Sequence, residues 1–383
     1  MLNAYMVLGA VLALMSASYL MVAIVGTYRF RRRLAGRDRA DGPGITVLKP
    51  LCGDEVDLAR NLRSFCDQDF PDYQVIFGVR DAQDPAIAVV EQLIADLPDQ
   101  DIALVINDRV LGSNLKISNL ANMYDQARHD LLVIADSDMH VGPDYLQTIA
   151  SVFSDDKVGA ATCLYSGSAR CGLASRLGAM FINDWFFPSA LIPALNDDLT
   201  FCFGATMAVR RDALDQFGGF SALANVLADD YMLGHKVHQQ GRKVALIPYV
   251  VTNVVHEPGL KALFVHEVRW ARTIKNVRPF SYALSTITEG LALSLIGALL
   301  LFAGDAPMWA VAAPVIVVGS LRLALHMSVS GTIKEQGERA PWLIPLRDAV
   351  SLCVRVVGYF GSTVQWREQE LTVRANSYLQ DVS

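Results

Sequence analysis

The sequence has no charged side chain between Met1 and Tyr28. Such a stretch exceeds the ~20 residues that an α-helix needs to cross ~30 Å of hydrocarbon, so an ordinary soluble start is excluded. Cysteines are few, six in all, and none form a Cys-x-x-Cys pair or an array with histidine at zinc-ligand spacing. A structural metal framework is therefore not expected, and the thiols read as buried groups in a reducing compartment. A basic stripe is also lacking in the middle section. With a net charge of −6, the chain offers no footing for a phosphate backbone, and no nucleic-acid partner is expected.

What is present is apolar surface: 52% of the residues are hydrophobic, above the usual share for a soluble chain, and the excess gathers at the two ends. The run ending at Tyr28 is followed at once by Arg29, Arg31, Arg32, Arg33, Arg37 and Arg39. A secretory signal carries its positive charge before the apolar run, so this order marks a retained anchor with its N-terminus outside and the following chain in the cytoplasm. Near the other end, Phe280–Ala303 and Ala306–Met327 flank the turn Gly304-Asp305 and read as a transmembrane hairpin. Glu289 and Arg322 fall inside these spans, where charge is costly, and must face protein or a polar cavity, either to pair with neighbours or to serve an acceptor lipid. Trp342–Trp366 is apolar but carries Arg347, Asp348 and Arg355. It reads as interfacial or re-entrant helix that leaves the polar tail Gln365–Ser383 cytoplasmic. The expected division is an N-terminal transmembrane helix over residues 1–30, a cytoplasmic catalytic domain over 44–278 and a C-terminal membrane region over 279–383.

Between the ends, Ile45–Leu48, Tyr73–Val79, Ile102–Ile106 and Leu131–Ala135 are short β-rich runs, each followed by a helix-length segment. That rhythm predicts an α/β fold with a parallel sheet covered on both faces by helices, and ligands in such sheets bind beyond the carboxyl ends of the strands. Asp136 and Asp138 stand there, alternate residues able to converge on one hard cation, Mg²⁺ or Mn²⁺, whose shell diphosphate oxygens complete; Asp pairs also form plain turns. Asp81 ends another run and is placed for a nucleoside, with a turn or cap as the alternative. Asp84 fits the cap better because Pro85 follows it. Lys116 opens a helix after Gly112-Ser113-Asn114 and can neutralise phosphate; a solvated lysine is the alternative. Asp229 and Asp230 are adjacent carboxylates, one of which can be pushed up in pKa and act as general base, or they simply begin a helix. Arg269 can stabilise a diphosphate leaving group and Trp270 can stack on a sugar or anchor at headgroup level.

Taken together, Val47-Leu48-Lys49-Pro50-Leu51-Cys52-Gly53, Asp84-Pro85-Ala86-Ile87, Lys116-Ile117-Ser118-Asn119-Leu120 and Ala228-Asp229-Asp230-Tyr231 resemble the ceramide glucosyltransferase family. The likeness runs from Ile45 to Pro279 and implies a GT-A nucleotide-sugar transferase fold. It implies further that Asp81 contacts the nucleotide, Asp136 and Asp138 serve donor diphosphate and a divalent cation, and Asp230 is the catalytic base. Arg269 and Trp270 match the family's (Q/R)xxRW element, with His266 standing where Gln or Arg is usual. The segment from His256 to Ile274 looks more like a bacterial hopanoid-associated branch, which implies N-acetylglucosamine or glucose passing from a UDP-sugar to a hopanoid polyol. Ceramide is the alternative acceptor. The implied location is a bacterial inner membrane, crossed several times, with catalysis on its cytoplasmic side. A processive polysaccharide synthase needs more spans to enclose a channel, and a scaffold leaves the acidic sites without a task.

Overall fold

A computed structural model describes residues 4–196, 199–333, 339–361, 363–366, 369–373 and 379–381. Segments 367–368, 374–378 and 382–383 of the tail expected to be cytoplasmic lie outside these described residues. The chain forms two compact units. One gathers residues 33–165, 193–254 and 365–383, and the other 1–32, 166–192 and 255–364.

The first unit is built on a sheet of eight strands: β1 (Ile45–Pro50), β2 (Tyr73–Val79), β3 (Ile102–Ile106), β4 (Leu131–Ile134), β5 (Met139–His140), β6 (Val158–Ala169), β7 (Met207–Arg210) and β8 (Lys243–Val255). Their order is β3-β2-β1-β4-β7-β6-β8-β5. The four runs read from the sequence are the parallel strands β1 to β4, paired Val47 to Val75 and to Val133. The other half departs from the expected parallel sheet, since β7 runs antiparallel to both β4 and β6 and β5 antiparallel to β8. The sheet is mixed. Both faces of β1 and β4 are buried, and Val47, Val75, Val133, Phe65 and Tyr145 lie in one continuous core. That explains why these strands read as unbroken apolar runs rather than alternating ones.

The second unit is helical. Ala4–Ala35 and Met308–Thr332 are long and apolar enough to cross a membrane. Gly9 and Gly297 let two helix backbones meet, because a Cβ on Gly9 would stand 2.6 Å from the Gly297 carbonyl oxygen and one on Gly297 2.8 Å from that of Gly9. The expected span Phe280–Ala303 is not one straight helix. The segment Pro279–Thr288 is bent 69° from Gly290–Ala303. Glu289 sits at the break, buried, with Arg355 Nε donating to its Oε1 at 2.7 Å. Breaking the helix there lets the charged pair form inside protein, since a carboxylate facing lipid is costly. The remaining Gly290–Ala303 helix has 14 residues and is roughly 21 Å long, short of a full span. Arg322 is likewise paired, Nη2 lying 3.1 Å from both Asp184 Oδ2 and Asp348 Oδ1. Arg347 and Asp348 belong to the helix Ile344–Tyr359.

Candidate active site

In the sheet unit, β4 ends and the chain turns through Asp136-Ser137-Asp138 into β5. Backbone bonds fix that turn at both ends: Ala135 N–H donates to Leu48 O at 3.3 Å and Val254 N–H to Asp138 O at 2.9 Å. Lys49 pins it from beneath, its Nζ donating to the Asp136 carbonyl at 2.7 Å while lying 3.6 Å from the centre of the Phe65 ring. Burial lowers the Lys49 ammonium to a pKa of about 7. In the sequence Lys49 stands out only as part of the Val47–Gly53 motif, with no role of its own. The available signal was its position, because a lone charge within a strand buried on both faces must have a partner.

Lys116 is the next piece. Asn114 caps the helix Leu115–Tyr124, its Oδ1 accepting from Ile117 N–H at 3.0 Å and its Nδ2 donating to Val226 O at 2.7 Å. These two hydrogen bonds tie the helix start to the segment leading into Asp229. Lys116 Nζ then lies 2.6 Å from Asp136 Oδ1 and 3.5 Å from Asp229 Oδ2. Its desolvation is outweighed by Asp136 and Asp229, which raise its pKa, so it is a fixed cation rather than a solvated one. Asp229 and Asp230 begin the helix Asp229–Gln239. Gly204 faces them. A Cβ placed on it would lie 3.2 Å from Asp230 Oδ2 and 3.8 Å from Asp136 Oδ2, so the two carboxylates converge on one gap kept open by the absence of a side chain.

Electrostatics follow from this crowding. Asp230 is raised to about 7, first by burial and then by Asp229, although Tyr231 N–H donates to its Oδ1 at 2.8 Å. Asp138 is also raised to about 7, by burial and by Asp136, against a 2.7 Å bond from Asn253 Nδ2. Burial raises Asp229 and Glu55 as well. Five carboxylates thus stand with two ammonium groups, an excess that favours further positive charge. Among the described residues no three His, Cys, Asp or Glu side chains form a cage for an ion. A cation held by one or two carboxylates and completed by substrate phosphates needs no cage, and Asp136 and Asp138 fit that description.

The structure therefore brings together Lys116, Asp136, Asp138, Asp229 and Asp230. Asp81 stands outside the cluster, exposed at the end of β2, with Oδ1 accepting from Gln83 N–H at 2.9 Å. Asp84 takes the cap role, accepting from Ala86 N–H at 2.9 Å and from Gly53 N–H at 3.0 Å.

His266, Arg269 and Trp270 belong to the helical unit, on Leu260–Val277. His266 Nδ1 lies 2.8 Å from Glu257 Oε1, and its ring lies 4.4 Å from that of Trp270, centre to centre. Trp270 stacks on Phe181 at 5.6 Å, and Phe181 on Trp185 at 4.8 Å. Between His266 and Arg269, Glu267 receives both Arg347 Nη atoms at 2.7 Å. Sequence reading did not single out Glu267.

Residues 8–379 match the family model described as glycosyl transferase family 21. The chain belongs to that family. Among relatives of this family 21 chain, ceramide glucosyltransferase 3 of Caenorhabditis elegans is 24% identical over 259 residues, covering 66% of this chain and 56% of that protein. The ceramide glucosyltransferase of Komagataella phaffii is 32% identical over 130 residues, 32% of this chain and 26% of that protein. The beta-monoglucosyldiacylglycerol synthase of Trichormus variabilis is 22% identical over 236 residues, 60% and 48%. The family 21 chain spans about half the length of the nematode relatives it matches. Of solved structures, the mannosyltransferase PcManGT from Pyrobaculum calidifontis, in complex with GDP-Man and Mn²⁺, aligns with a TM-score of 0.52 at 17% identity, covering 92% of this chain and 99% of that one. At that identity the likeness speaks to fold, and the fold is GT-A.

Proposed function

We propose that this family 21 chain transfers a sugar from a UDP-sugar to a lipid hydroxyl at a membrane surface, with inversion at the anomeric carbon. The observation that carries the reading is Asp230, a carboxyl raised to about 7 and facing the same gap above Gly204 as Asp136. Its ionised form takes the proton of the acceptor hydroxyl while that oxygen bonds to the anomeric carbon and the bond to UDP breaks. Lys116, held between Asp136 and Asp229, offers fixed positive charge to the departing diphosphate. Mg²⁺ or Mn²⁺, held by Asp136 and Asp138, supplies further positive charge against the diphosphate when bound. Asp81 contacts the nucleoside, Asp229 orients Lys116, and the assignments of His266, Arg269 and Trp270 to catalysis rest on the resemblance alone.

The acceptor proposed is a hopanoid polyol and the sugar N-acetylglucosamine or glucose, on the likeness of residues 256–274. Ceramide is the second reading, favoured by the names of the nematode and yeast relatives. The enzyme is proposed to sit in a bacterial inner membrane with its sheet unit in the cytoplasm. The test is to incubate membranes containing the chain with radiolabelled UDP-glucose or UDP-N-acetylglucosamine and identify the labelled lipid. Label in a hopanoid supports the first reading and label in a ceramide the second. No labelled lipid with either donor overturns both.

A further inference from the structure

Within the helical unit, five chain segments close around a polar cavity lined by Tyr19, Asp184, Thr288, Glu289, Arg322 and Ser351 among others. About 20 Å³ of it is open to the centre of a water molecule, room for one hydroxyl-sized group. Its setting is apolar. Leu8, Val11, Leu14, Met15 and Val22 of the helix Ala4–Ala35 are exposed, as are Leu295, Leu299, Ile316 and Val317 on other helices of this unit. These surfaces suit lipid chains, so a lipid needs no passage through water to reach this unit.

The lining charges nearly cancel. Arg322 lies between Asp184 and Asp348, Arg355 holds Glu289, and Arg347 holds Glu267. His326 Nδ1 lies 2.8 Å from Asp184 Oδ2, beside the surplus carboxylate. An ionic headgroup finds little net charge to answer it. Two buried nitrogens of this network have no hydrogen-bond partner among the described residues, His326 Nε2 and Nη1 of Arg322, and of the two residues Arg322 is the one that lines the cavity, on a side chain only 9% exposed. A buried guanidinium N–H without an acceptor is costly, and an oxygen that supplies the acceptor is bound for that reason. Charged groups inside a membrane unit are otherwise expensive to keep.

We propose that this cavity binds an oxygen of an uncharged, hydroxyl-bearing lipid head, received by Arg322 Nη1, and that it is a recognition site for the acceptor. The assignment as acceptor site rests on the function proposed above; the binding site itself does not. Two variants test it in the full-length chain purified in detergent. Arg322→Met removes the donor, and Ser351→Leu fills the cavity while leaving the Arg322 pairs in place. Each is incubated with a polyhydroxylated neutral lipid, with its hydroxyl-free analogue and with phosphatidylglycerol. Retained lipid is counted by native mass spectrometry, and transfer kinetics are recorded in parallel.

The wild-type chain is expected to retain the hydroxylated lipid about tenfold better than either control, and both variants to lose that preference, the worth of one charge-assisted hydrogen bond. Acceptor KM rises by a similar factor while UDP-sugar KM stays unchanged. If Arg322→Met does not fold, Ser351→Leu alone decides. A preference unaltered by Ser351→Leu, or equal retention of phosphatidylglycerol, overturns the proposal and leaves a site for trapped water only. Selective binding without sugar transfer to any lipid removes the proposed function but keeps this site. Transfer with unaltered acceptor KM in Ser351→Leu does the reverse.

Discussion

Around Asp230, burial and neighbouring carboxylates that oppose its ionisation outweigh the Tyr231 N–H and Lys116 that favour it, and this gives it a usable basicity. Burial and Asp229 raise it to about 7, whereas an ordinary Asp near 3.9 would be too weak a base to take a proton from an alcohol efficiently. The sign follows directly: the working form is the ionised one, so transfer climbs as pH rises through about 7, levels above it, and falls by about tenfold per unit well below it. Asp230→Asn removes the base while leaving the cluster's shape, and kcat should fall by about a thousandfold with UDP-sugar binding preserved. Normal turnover in that variant would remove Asp230 from the mechanism. Gly204→Ala probes the same gap from the other side. Its Cβ would meet Asp230 Oδ2 at 3.2 Å, so the carboxylate must shift by tenths of an ångström. An expected loss of about tenfold in kcat, with melting temperature held, separates a positioning effect from unfolding. Asp136 and Asp138 were legible in the sequence because they follow the carboxyl end of a strand, where ligands bind, and Asp229 and Asp230, which begin a helix, because two carboxylates stand side by side. Lys49 was not, because its value lies in a carbonyl and a ring that meet it only in the folded chain.

At the scale of elements, the four parallel strands were legible because their apolar runs are continuous, and in β1, β2 and β4 because both faces are buried as well. The antiparallel half was not. β5 has two residues, too short for a periodic signal, and β7 lies between β4 and β6 although it follows both in sequence, an order that no local run of residues announces. One of the two helices with internal charge was misjudged for a related reason. Glu289 was taken as a residue inside a straight span, but its pairing with Arg355 coincides with the bend. The clearest inter-helix pair is Glu267 with Arg347, which are 2% and 1% exposed and joined by two 2.7 Å bonds. Breaking a buried pair by removing one partner costs about 3–5 kcal/mol, whereas replacing both with apolar side chains is often neutral. Glu267→Leu should therefore lower thermal stability in detergent by that amount, and adding Arg347→Met should restore most of it. A double variant no better than the single one would mean that the pair does more than satisfy buried charge.

Across the whole molecule, long apolar runs towards the two ends announced helices apolar enough to cross a membrane, but composition did not reveal which inner residues cluster with them. Residues 166–192 and 255–278 share a unit with the apolar helices although they carry His256, Glu257, Glu267 and Arg269. Glu257 is answered by His266 and Glu267 by Arg347, so charge that reads as soluble in the sequence is partly neutralised within the unit. The orientation of the chain rests on a separate asymmetry. The helix Ala4–Ala35 has no charge before Arg29 and ends among Arg29, Arg31, Arg32 and Arg33, with Arg37 and Arg39 just beyond. Translocating that cluster against the positive-inside bias is unfavourable, and the sheet unit begins within it, at Arg33. A protease site inserted after the exposed Gly36 should be cut in inside-out vesicles and protected in right-side-out ones. Cleavage in the opposite preparation would place the sheet unit away from the cytoplasm and from the nucleotide-sugar donors that a cytoplasmic transferase requires.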